Sequence, residues 1–410
     1  MTIFGAGFVS PQPGGREAIP GWGEASPSSE ACHFIWDRGL AVSLDVSVQR
    51  TKKHGLLSGF VCVFPHTDPF SLNTSTLCSK IIITQFQSRR LFAAPLMRAG
   101  GFRGFRRDWE YYLDMLTLDY LASLFEGHSD ALKVKVSPIH LGSRVLDFNA
   151  RPAIMGVVNL SADSWYRESV ALTPEAAIQR GMVLSAQGAD IIDVGAESSL
   201  AHAARVQDLE QKSMLLPVLK ALVAKGIAVS IETYHPEVTR ACLEAGAAVV
   251  NLTGRTDREQ IYRMVAEHGA TIIICHVQGE NVREVGDFDF GRDTTQMFYD
   301  YFARETEFAT SLGVRNIVID PGLGFYYKNL QDSSVRIQHQ MKTFLNTFRL
   351  RKLGFPVCHA LPHAFETFGE EVRTAESFFA VLAALGKTDL FRTHEVAKVK
   401  AVVDTMGLFG

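Results

Sequence analysis

From residue 153 onward the chain repeats one pattern: a short apolar run, a polar loop, and then a segment with apolar positions at helical spacing. The runs are rich in β-branched residues and do not alternate with polar ones, which is typical of strands buried on both faces of a parallel sheet. Eight such runs lie at 154–159, 190–194, 228–232, 249–251, 271–276, 316–320, 356–360 and 389–393. An eightfold repeat of this length predicts an α/β fold, a TIM (β/α)₈ barrel over residues 151–410.

Four glycines stand just before predicted strands of this repeat: Gly188, Gly246, Gly269 and Gly313. Glycine is favoured where a helix ends in a left-handed residue. We therefore expect these positions to end the helices and lead into the next strands.

The residues before the barrel form two regions of different character. Gly, Pro and Ser interrupt residues 1–107, which predicts an irregular, poorly ordered extension with short strands only at 61–64 and 80–86. Arginines concentrate between positions 89 and 107, as on a solvated basic face or, alternatively, a targeting or partner-binding segment.

Residues 108–150 are predicted to cap the barrel. Asp108 can cap a helix that runs to about Phe125, and its apolar stripe is expected to pack against the barrel. The segments 132–136 and 144–148 flank a turn through Pro138 and Gly142, which predicts a hairpin that closes the bottom of the barrel.

Composition restricts the possible partners. The 410 residues are 47% hydrophobic with a net charge of −3, so nothing favours nucleic acid or an anionic membrane as a partner. No apolar run reaches the roughly 20 residues of a membrane span. Six scattered cysteines without a CxxC pair favour reduced thiols and a cytoplasmic location.

Polar residues end every predicted strand, where the active site of this fold lies. In chain order they are Asn159, Asp193 with Glu197, Glu232, Asn251, His276, Asp320, His359, and Arg392 with His394. One polar residue at a strand end is usually an ordinary loop residue. A complete set at one rim predicts a polar site there.

The motifs around these strand ends resemble the dihydropteroate synthase family. They read IMGVVNLSADS at 154–164, DIIDVGAES at 190–198, SIETY at 230–234, CHVQG at 275–279, DPGLGF at 320–325 and RTHEV at 392–396. The resemblance covers the barrel in order and excludes the first ~130 residues. It implies a transferase of folate biosynthesis that binds a dihydropterin pyrophosphate, displaces pyrophosphate and uses p-aminobenzoate or an analogue as acceptor.

The resemblance also implies roles for individual residues. Asp320 is expected to accept hydrogen bonds from the pterin edge that carries paired N–H donors, and Asn251 to bond the edge that carries both donors and acceptors. Asn159 is implied as a contact for Mg²⁺ and pyrophosphate. Arg392 and His394 lie two positions apart, on one face of the last strand, and can both donate hydrogen bonds to phosphate oxygens. The three are the predicted catalytic residues. The predicted substrate-binding residues are Asp193, Glu232, Asn251, Asp320 and Lys328. The alternative for Arg392 is a surface ion pair with Glu395.

Several positions depart from the family pattern. The Gly-x-Ser-Arg-Lys motif is replaced by ALPHA at 360–364, and the second loop lacks Thr-Arg, so the acceptor subsite is expected to differ. Glu232 stands where the family usually has Asp. Tyr326 or Tyr327 could stack on a planar ligand, and Lys328 could replace the missing cation. Trp165 and Arg167 lie in a loop that this type of barrel uses as a lid.

Other interpretations remain open at this point. The sequence is also compatible with a methyltetrahydrofolate-dependent methyltransferase or a non-catalytic pterin-binding regulator, because both use the same barrel. A zinc site could be drawn from the cysteines and histidines at 275–276, 358–359 and 363, but neighbouring strand residues point to opposite faces. Barrels of this family often form homodimers through their last helices.

Overall fold

The computed structural model describes residues 116–161, 163, 170–198, 203, 205–325 and 327–409, and the backbone of three strands before them. The chain forms two units, Met1–Leu113 and Asp114–Gly410. In the first unit, β1 (Glu30–Ile35), β2 (Ala41–Lys53) and β3 (Leu56–Cys62) form an antiparallel sheet in that order. The strand predicted at 61–64 overlaps β3, whereas the one predicted at 80–86 lies outside the described residues.

The second unit contains the predicted barrel. Its strands are β6 (Ala153–Asn159), β7 (Ile191–Gly195), β8 (Val229–Thr233), β9 (Val249–Leu252), β10 (Thr271–Cys275), β11 (Asn316–Asp320), β12 (Cys358–Ala360) and β13 (Leu390–Thr393). Each pairs in parallel with its neighbours, and β13 pairs with β6. A bridge between Ile319 and Val357 joins β11 to β12 and closes the ring.

Helices follow the barrel strands and cover them. They are α2 (Pro174–Ala186), α3 (Asp208–Val223), α4 (Pro236–Glu244), α5 (Arg258–His268), α6 (Thr294–Ser311), α7 (Ser333–Leu350), α8 (Phe365–Phe368), α9 (Val372–Leu385) and α10 (Val396–Gly407). Side chains cap several of them: Thr173 accepts from the Ala176 N–H, and Asp293 accepts from the N–H groups of Thr295 and Gln296. The four glycines predicted to end helices all have positive φ, which confirms the placement of these turns.

A short helix and a hairpin precede the barrel. Helix α1 (Leu118–His128) begins after its cap Thr117, and the predicted start at Asp108 lies outside the described residues. The hairpin pairs β4 (Ile139–Leu141) with β5 (Arg144–Leu146). The first arm, predicted at 132–136, was placed too early in the chain: its first two residues end a 3₁₀ helix (Ser129–Lys133), and the strand begins only at Ile139.

The hairpin closes the amino-terminal end of the barrel, as predicted. Ile139, Leu141 and Leu146 form one buried cluster with interior strand residues such as Met155 and Ile273. The predicted packing of α1 is also confirmed, because Tyr120, Leu121 and Leu124 pack against the main core. The bottom of the barrel is therefore filled with hydrocarbon, and the site lies at the other end.

Gly386→Ala is expected to destabilise the protein by about 1–3 kcal/mol or more, the usual cost of overpacking. A methyl group at this position would lie 1.7 Å from the Phe344 carbonyl oxygen of α7, and backbone cannot move aside cheaply. Gly127→Ala is the matched control, because nothing lies within 4 Å of that position in α1 and alanine favours a helix. Urea unfolding of both variants measures the difference, and equal stabilities would contradict the packing described here.

Candidate active site

The carboxyl ends of the barrel strands surround one cavity. Seven of the residues predicted from the strand ends line it: Asn159, Glu197, Glu232, Asn251, Asp320, Arg392 and His394. Strand side chains alternate between faces, so positions two apart such as Arg392 and His394 share the inner face. The structure therefore brings these seven residues to one site, as the strand-end pattern predicts.

The floor of the cavity is a buried network of carboxylates and an amide. Asn251 Nδ2 donates a hydrogen bond to Asp193 Oδ2 at 3.2 Å, and Cys275 Sγ lies 3.4 Å from Asn251 Oδ1. The Gly322 N–H donates to Asp320 Oδ1 at 2.7 Å. Asp193 lies fully buried beneath the lining, and its Oδ1 receives no hydrogen bond from the described residues.

Arg392 lies between two carboxylates of this network. Its Nε donates to Asp193 Oδ2 at 2.8 Å, and its Nη2 donates to Glu232 Oε2. Glu395 pairs instead with Arg373 at 2.8 Å and Lys398 at 3.4 Å, so the alternative ion pair of Arg392 with Glu395 is not formed. The predicted contact of Arg392 with phosphate stays a prediction, and the guanidinium already balances buried negative charge.

Two carboxyl groups of the site, those of Glu232 and Asp320, bind protons more tightly than they would in water. Burial raises the pKa of Glu232 to about 7; Arg392 opposes this rise, and Asp193 and Asp320 add to it. Burial also raises the pKa of Asp320 to about 6, against the Gly322 N–H and Arg392. The site therefore changes its charge between about pH 5 and pH 8.

Glu232→Gln is expected to gain stability relative to the wild type as the pH rises from 5 to 8, by on the order of 2 kcal/mol. The raised pKa stabilises the folded state fully below the unfolded value near 4.5, and this stabilisation is lost as the pH passes through about 7. Glutamine does not titrate, so the variant lacks this loss. Urea unfolding at each pH measures the difference, with the exposed Glu259→Gln as control. Parallel pH profiles for wild type and Glu232→Gln would contradict the prediction.

Comparison with known proteins identifies the family. Residues 155–394 match the family model described as Pterin binding enzyme. The chain belongs to this pterin binding enzyme family. It is 33% identical over 276 residues to a dihydropteroate synthase of Streptococcus pyogenes, covering 64% of this chain and 97% of that protein. A dihydropteroate synthase of Mycobacterium leprae is 30% identical over 269 residues, covering 63% of this chain and 92% of the relative.

Solved structures of the pterin binding enzyme family show the same barrel. The Xanthomonas albilineans dihydropteroate synthase with 4-aminobenzoic acid superimposes with a TM-score of 0.57 at 26% identity, covering 67% of this chain and 98% of that one. The Thermus thermophilus enzyme in complex with 6HMPPP gives a TM-score of 0.54 at 26% identity, covering 67% and 100%. In both cases the match extends over nearly the full length of the solved enzyme.

Some residues that were predicted for the site of this pterin binding enzyme lie elsewhere. Lys328 begins a 3₁₀ turn and is exposed, and it is not among the residues that line the cavity. Tyr327 is buried, and its hydroxyl accepts a hydrogen bond from the Gln278 N–H at 3.1 Å, so it does not offer a stacking face to the cavity. Tyr326, Trp165 and Arg167 lie outside the described residues.

The zinc site drawn from the Cys-His pairs is not formed. Cys275 and Cys358 belong to the barrel interior. His276 faces outward, with its ring 4.7 Å from that of Tyr301, and His359 Nε2 lies 2.8 Å from Thr347 Oγ1. The two histidines thus pack against the surrounding helices, as the alternation of strand side chains requires.

A cluster of His363, Glu376 and His394 stands at one side of the cavity of the pterin binding enzyme. Both histidines line the cavity, and Glu376 is fully buried behind them on α9. Glu376 was not predicted from the sequence. The available signal was a glutamate two residues before the apolar run at 378–385 of α9, since a charge beside core residues requires partners.

A second group of polar residues holds the loop after β7. Glu197 accepts a hydrogen bond from the Tyr234 hydroxyl at 2.7 Å and from the Val206 N–H at 3.0 Å, and it lies 2.9 Å from Arg283. Arg283 is almost fully buried. Glu197, which follows the second strand, therefore lines the cavity wall as a paired carboxylate.

Proposed function

We propose that this pterin binding enzyme is a dihydropteroate-synthase-type transferase of folate biosynthesis. It joins the methylene carbon of a dihydropterin pyrophosphate to the amine of p-aminobenzoate or an analogue. The carbon–oxygen bond to pyrophosphate breaks, a carbon–nitrogen bond forms, and the amine loses a proton. The observation that carries the proposal is the convergence of Asp193, Asn251 and Asp320 at the floor of one cavity. The family match and the relatives support it.

The floor has the chemistry that a pterin requires. An ionised Asp320 accepts the paired N–H donors of one ring edge, and Asn251 offers both a donor and an acceptor to the mixed edge. Both side chains are at least 96% buried, so their hydrogen bonds form in a medium of low dielectric constant. A ligand that lacks the matching donors and acceptors leaves Asp320 and Asn251 without hydrogen bonds, and this energetic cost makes the site specific for a pterin ring.

The departure of pyrophosphate leaves positive charge at the methylene carbon. The carboxylate of Glu232 lines the cavity and Asp193 lies beneath it, so both can stabilise this charge. Arg392 holds both carboxylates in place. Glutamate in place of the usual aspartate places the carboxyl group one methylene further from the strand.

Mg²⁺ is proposed as the cofactor, held at Asn159. The Asn159 amide nitrogen lies 3.4 Å from His394 Nε2, and the amide oxygen is a hard donor of the kind that Mg²⁺ accepts. One protein oxygen fits an ion that takes most of its ligands from water and substrate phosphates. When bound, Mg²⁺ supplies positive charge to the departing anion.

The acceptor side differs from the family pattern. The segment that replaces Ser-Arg-Lys contributes Ala360, Pro362 and His363 to the cavity wall, and Arg336 of α7 also lines the cavity. Arg336 lies 2.6 Å from Glu366. We propose that the acceptor is p-aminobenzoate or an analogue placed against this wall.

The assembly and the compartment are further proposals. Helix α9 exposes a stripe of Phe378, Val381 and Leu385, which are 42%, 37% and 49% exposed. An apolar stripe on one of the last helices supports a homodimer through this face. In the described part of the chain, every helix is too short or too polar to cross a membrane. A cytoplasmic location stays a prediction.

Calorimetric titration with 6-hydroxymethyl-dihydropterin pyrophosphate, with and without Mg²⁺, tests the function. Binding that requires Mg²⁺, followed by turnover with p-aminobenzoate, is the expected result. Tight binding of methyltetrahydrofolate alone would instead indicate the methyltransferase. Pterin binding without turnover of any arylamine would indicate the regulator.

A further inference from the structure

We propose that His363, Glu376 and His394 form a binding site for a divalent transition metal of the zinc type, separate from the Mg²⁺ proposed at Asn159. The three side chains come from the loop after β12, from α9 and from the end of β13. The proposal concerns metal binding by the protein alone, so it does not depend on the proposed reaction.

The geometry of the three ligand atoms carries the inference. His363 Nε2 lies 3.1 Å from Glu376 Oε1, His394 Nδ1 lies 3.0 Å from the same oxygen, and the two nitrogens are 3.2 Å apart. The atoms thus form a nearly equilateral triangle. A tetrahedral ion with bonds of about 2.1 Å separates its ligands by about 3.4 Å, so this triangle needs to open by only about 0.3 Å.

The ligand types match the same class of metal. Two imidazoles and one carboxylate suit zinc and its neighbours, whereas Mg²⁺ prefers oxygen ligands. The contact between two imidazole nitrogens is a poor hydrogen bond unless one of them lacks its proton. A cation between the two nitrogens and the carboxylate removes this conflict.

The surroundings hold the carboxylate as a metal site requires. Glu376 accepts hydrogen bonds from the Thr393 hydroxyl and from the N–H groups of His394 and Glu395. Burial disfavours its charge, but hydrogen bonds from His363 and His394 outweigh burial and lower the pKa of Glu376. Groups that orient a ligand in this way are usual around metal sites.

The charges that line the cavity indicate what such a metal would contribute to ligand binding. The charged side chains among its described lining residues are Glu197, Glu232, Asp320, Glu366, Arg336 and Arg392. Both arginines already contact carboxylates: Arg392 contacts Asp193 and Glu232, and Arg336 contacts Glu366. An anionic ligand therefore needs further positive charge. Since His363 and His394 line the cavity, a metal beside them can take its fourth ligand from there.

Titration of the full chain with Zn²⁺, after removal of metal with EDTA, tests the proposal. We expect one tight site per chain. His363→Ala and Glu376→Gln should each weaken Zn²⁺ binding by at least about 100-fold, because losing a ligand costs more than losing a group that orients one. His140→Ala, in the hairpin at the opposite end of the barrel, is the histidine control and should bind as the wild type does. Mg²⁺ at the same concentration should not compete.

Co²⁺ provides a second readout. The wild type should give the visible absorption of tetrahedral Co²⁺, and His363→Ala should lose it. If Glu376→Gln does not fold, the loop variant His363→Ala decides alone. Failure of the wild type to take up Zn²⁺ would show that the cluster is held by hydrogen bonds only, and Zn²⁺ binding that persists unchanged in His363→Ala would place the metal elsewhere. Either result overturns the proposal.

Discussion

Asp320→Asn is expected to weaken the binding of a dihydropterin by about 100-fold, equivalent to about 3 kcal/mol. Asp320 is 4% exposed at the floor of the cavity, where an ionised carboxylate would accept two N–H groups of the ring. Asparagine keeps the shape but turns one acceptor into a donor, so one ligand N–H would face another N–H. Truncating one partner of a buried charged hydrogen bond costs about 2–5 kcal/mol.

The same residue should give the wild type a pH-dependent affinity. With a pKa of about 6, Asp320 is mostly protonated at pH 5 and mostly ionised at pH 7, so affinity for the neutral ring should rise over this range. Calorimetry with a dihydropterin lacking pyrophosphate isolates the effect. Asp300→Asn, an exposed substitution on α6, is the control. If Asp320→Asn bound the dihydropterin as tightly as the wild type does, the ring would not contact Asp320 and the prediction would be wrong.

Arg392→Met is expected to destabilise the folded protein by about 3–5 kcal/mol, the usual cost of removing one partner of a buried ion pair. Methionine approximates the volume but leaves Asp193 and Glu232 without their cation. The Glu232 carboxyl group, whose pKa is already raised to about 7, can escape the penalty by taking up a proton. The destabilisation should therefore be larger at pH 8 than at pH 5.5.

Urea unfolding of Arg392→Met at both pH values measures this effect. Arg263→Met is the matched control, because Arg263 forms an exposed pair with Glu259 on one helix, and such pairs contribute about 0.5 kcal/mol or less. If the two variants unfold alike at both pH values, Arg392 does not balance the buried carboxylates. Binding of pyrophosphate would then be the predicted role that is left for Arg392.

The polar rim of the site could be read from the sequence because strand geometry is periodic. Runs such as 271–276 are too apolar for a half-exposed strand, and the eightfold repeat leaves few alternative folds. Once the barrel is assumed, each strand can contribute its last inward residue to only one rim. Asn159, Asn251 and Asp320 followed from this rule, and the structure places them together.

The misplaced residues have a common cause. Lys328 and Tyr327 lie in a loop, where no repeat fixes the direction of a side chain, and Tyr327 is buried against Phe288 instead. The first arm of the hairpin was placed too early because it overlaps the end of a 3₁₀ turn at Ser129–Lys133, and such a turn has no clear hydrophobic period. Loop and cap geometry depends on contacts that are distant in sequence.

The sequence alone determined the barrel, its closed lower end and the set of polar strand ends, because these depend on local periodicity and on chain order. Only the tertiary structure decided how those polar groups combine. It showed that Arg392 is shared by Asp193 and Glu232, and that Glu376 from a surrounding helix reaches His363 and His394. Pairing between groups far apart in the chain is set by packing, and the charge state of each buried group follows from that pairing.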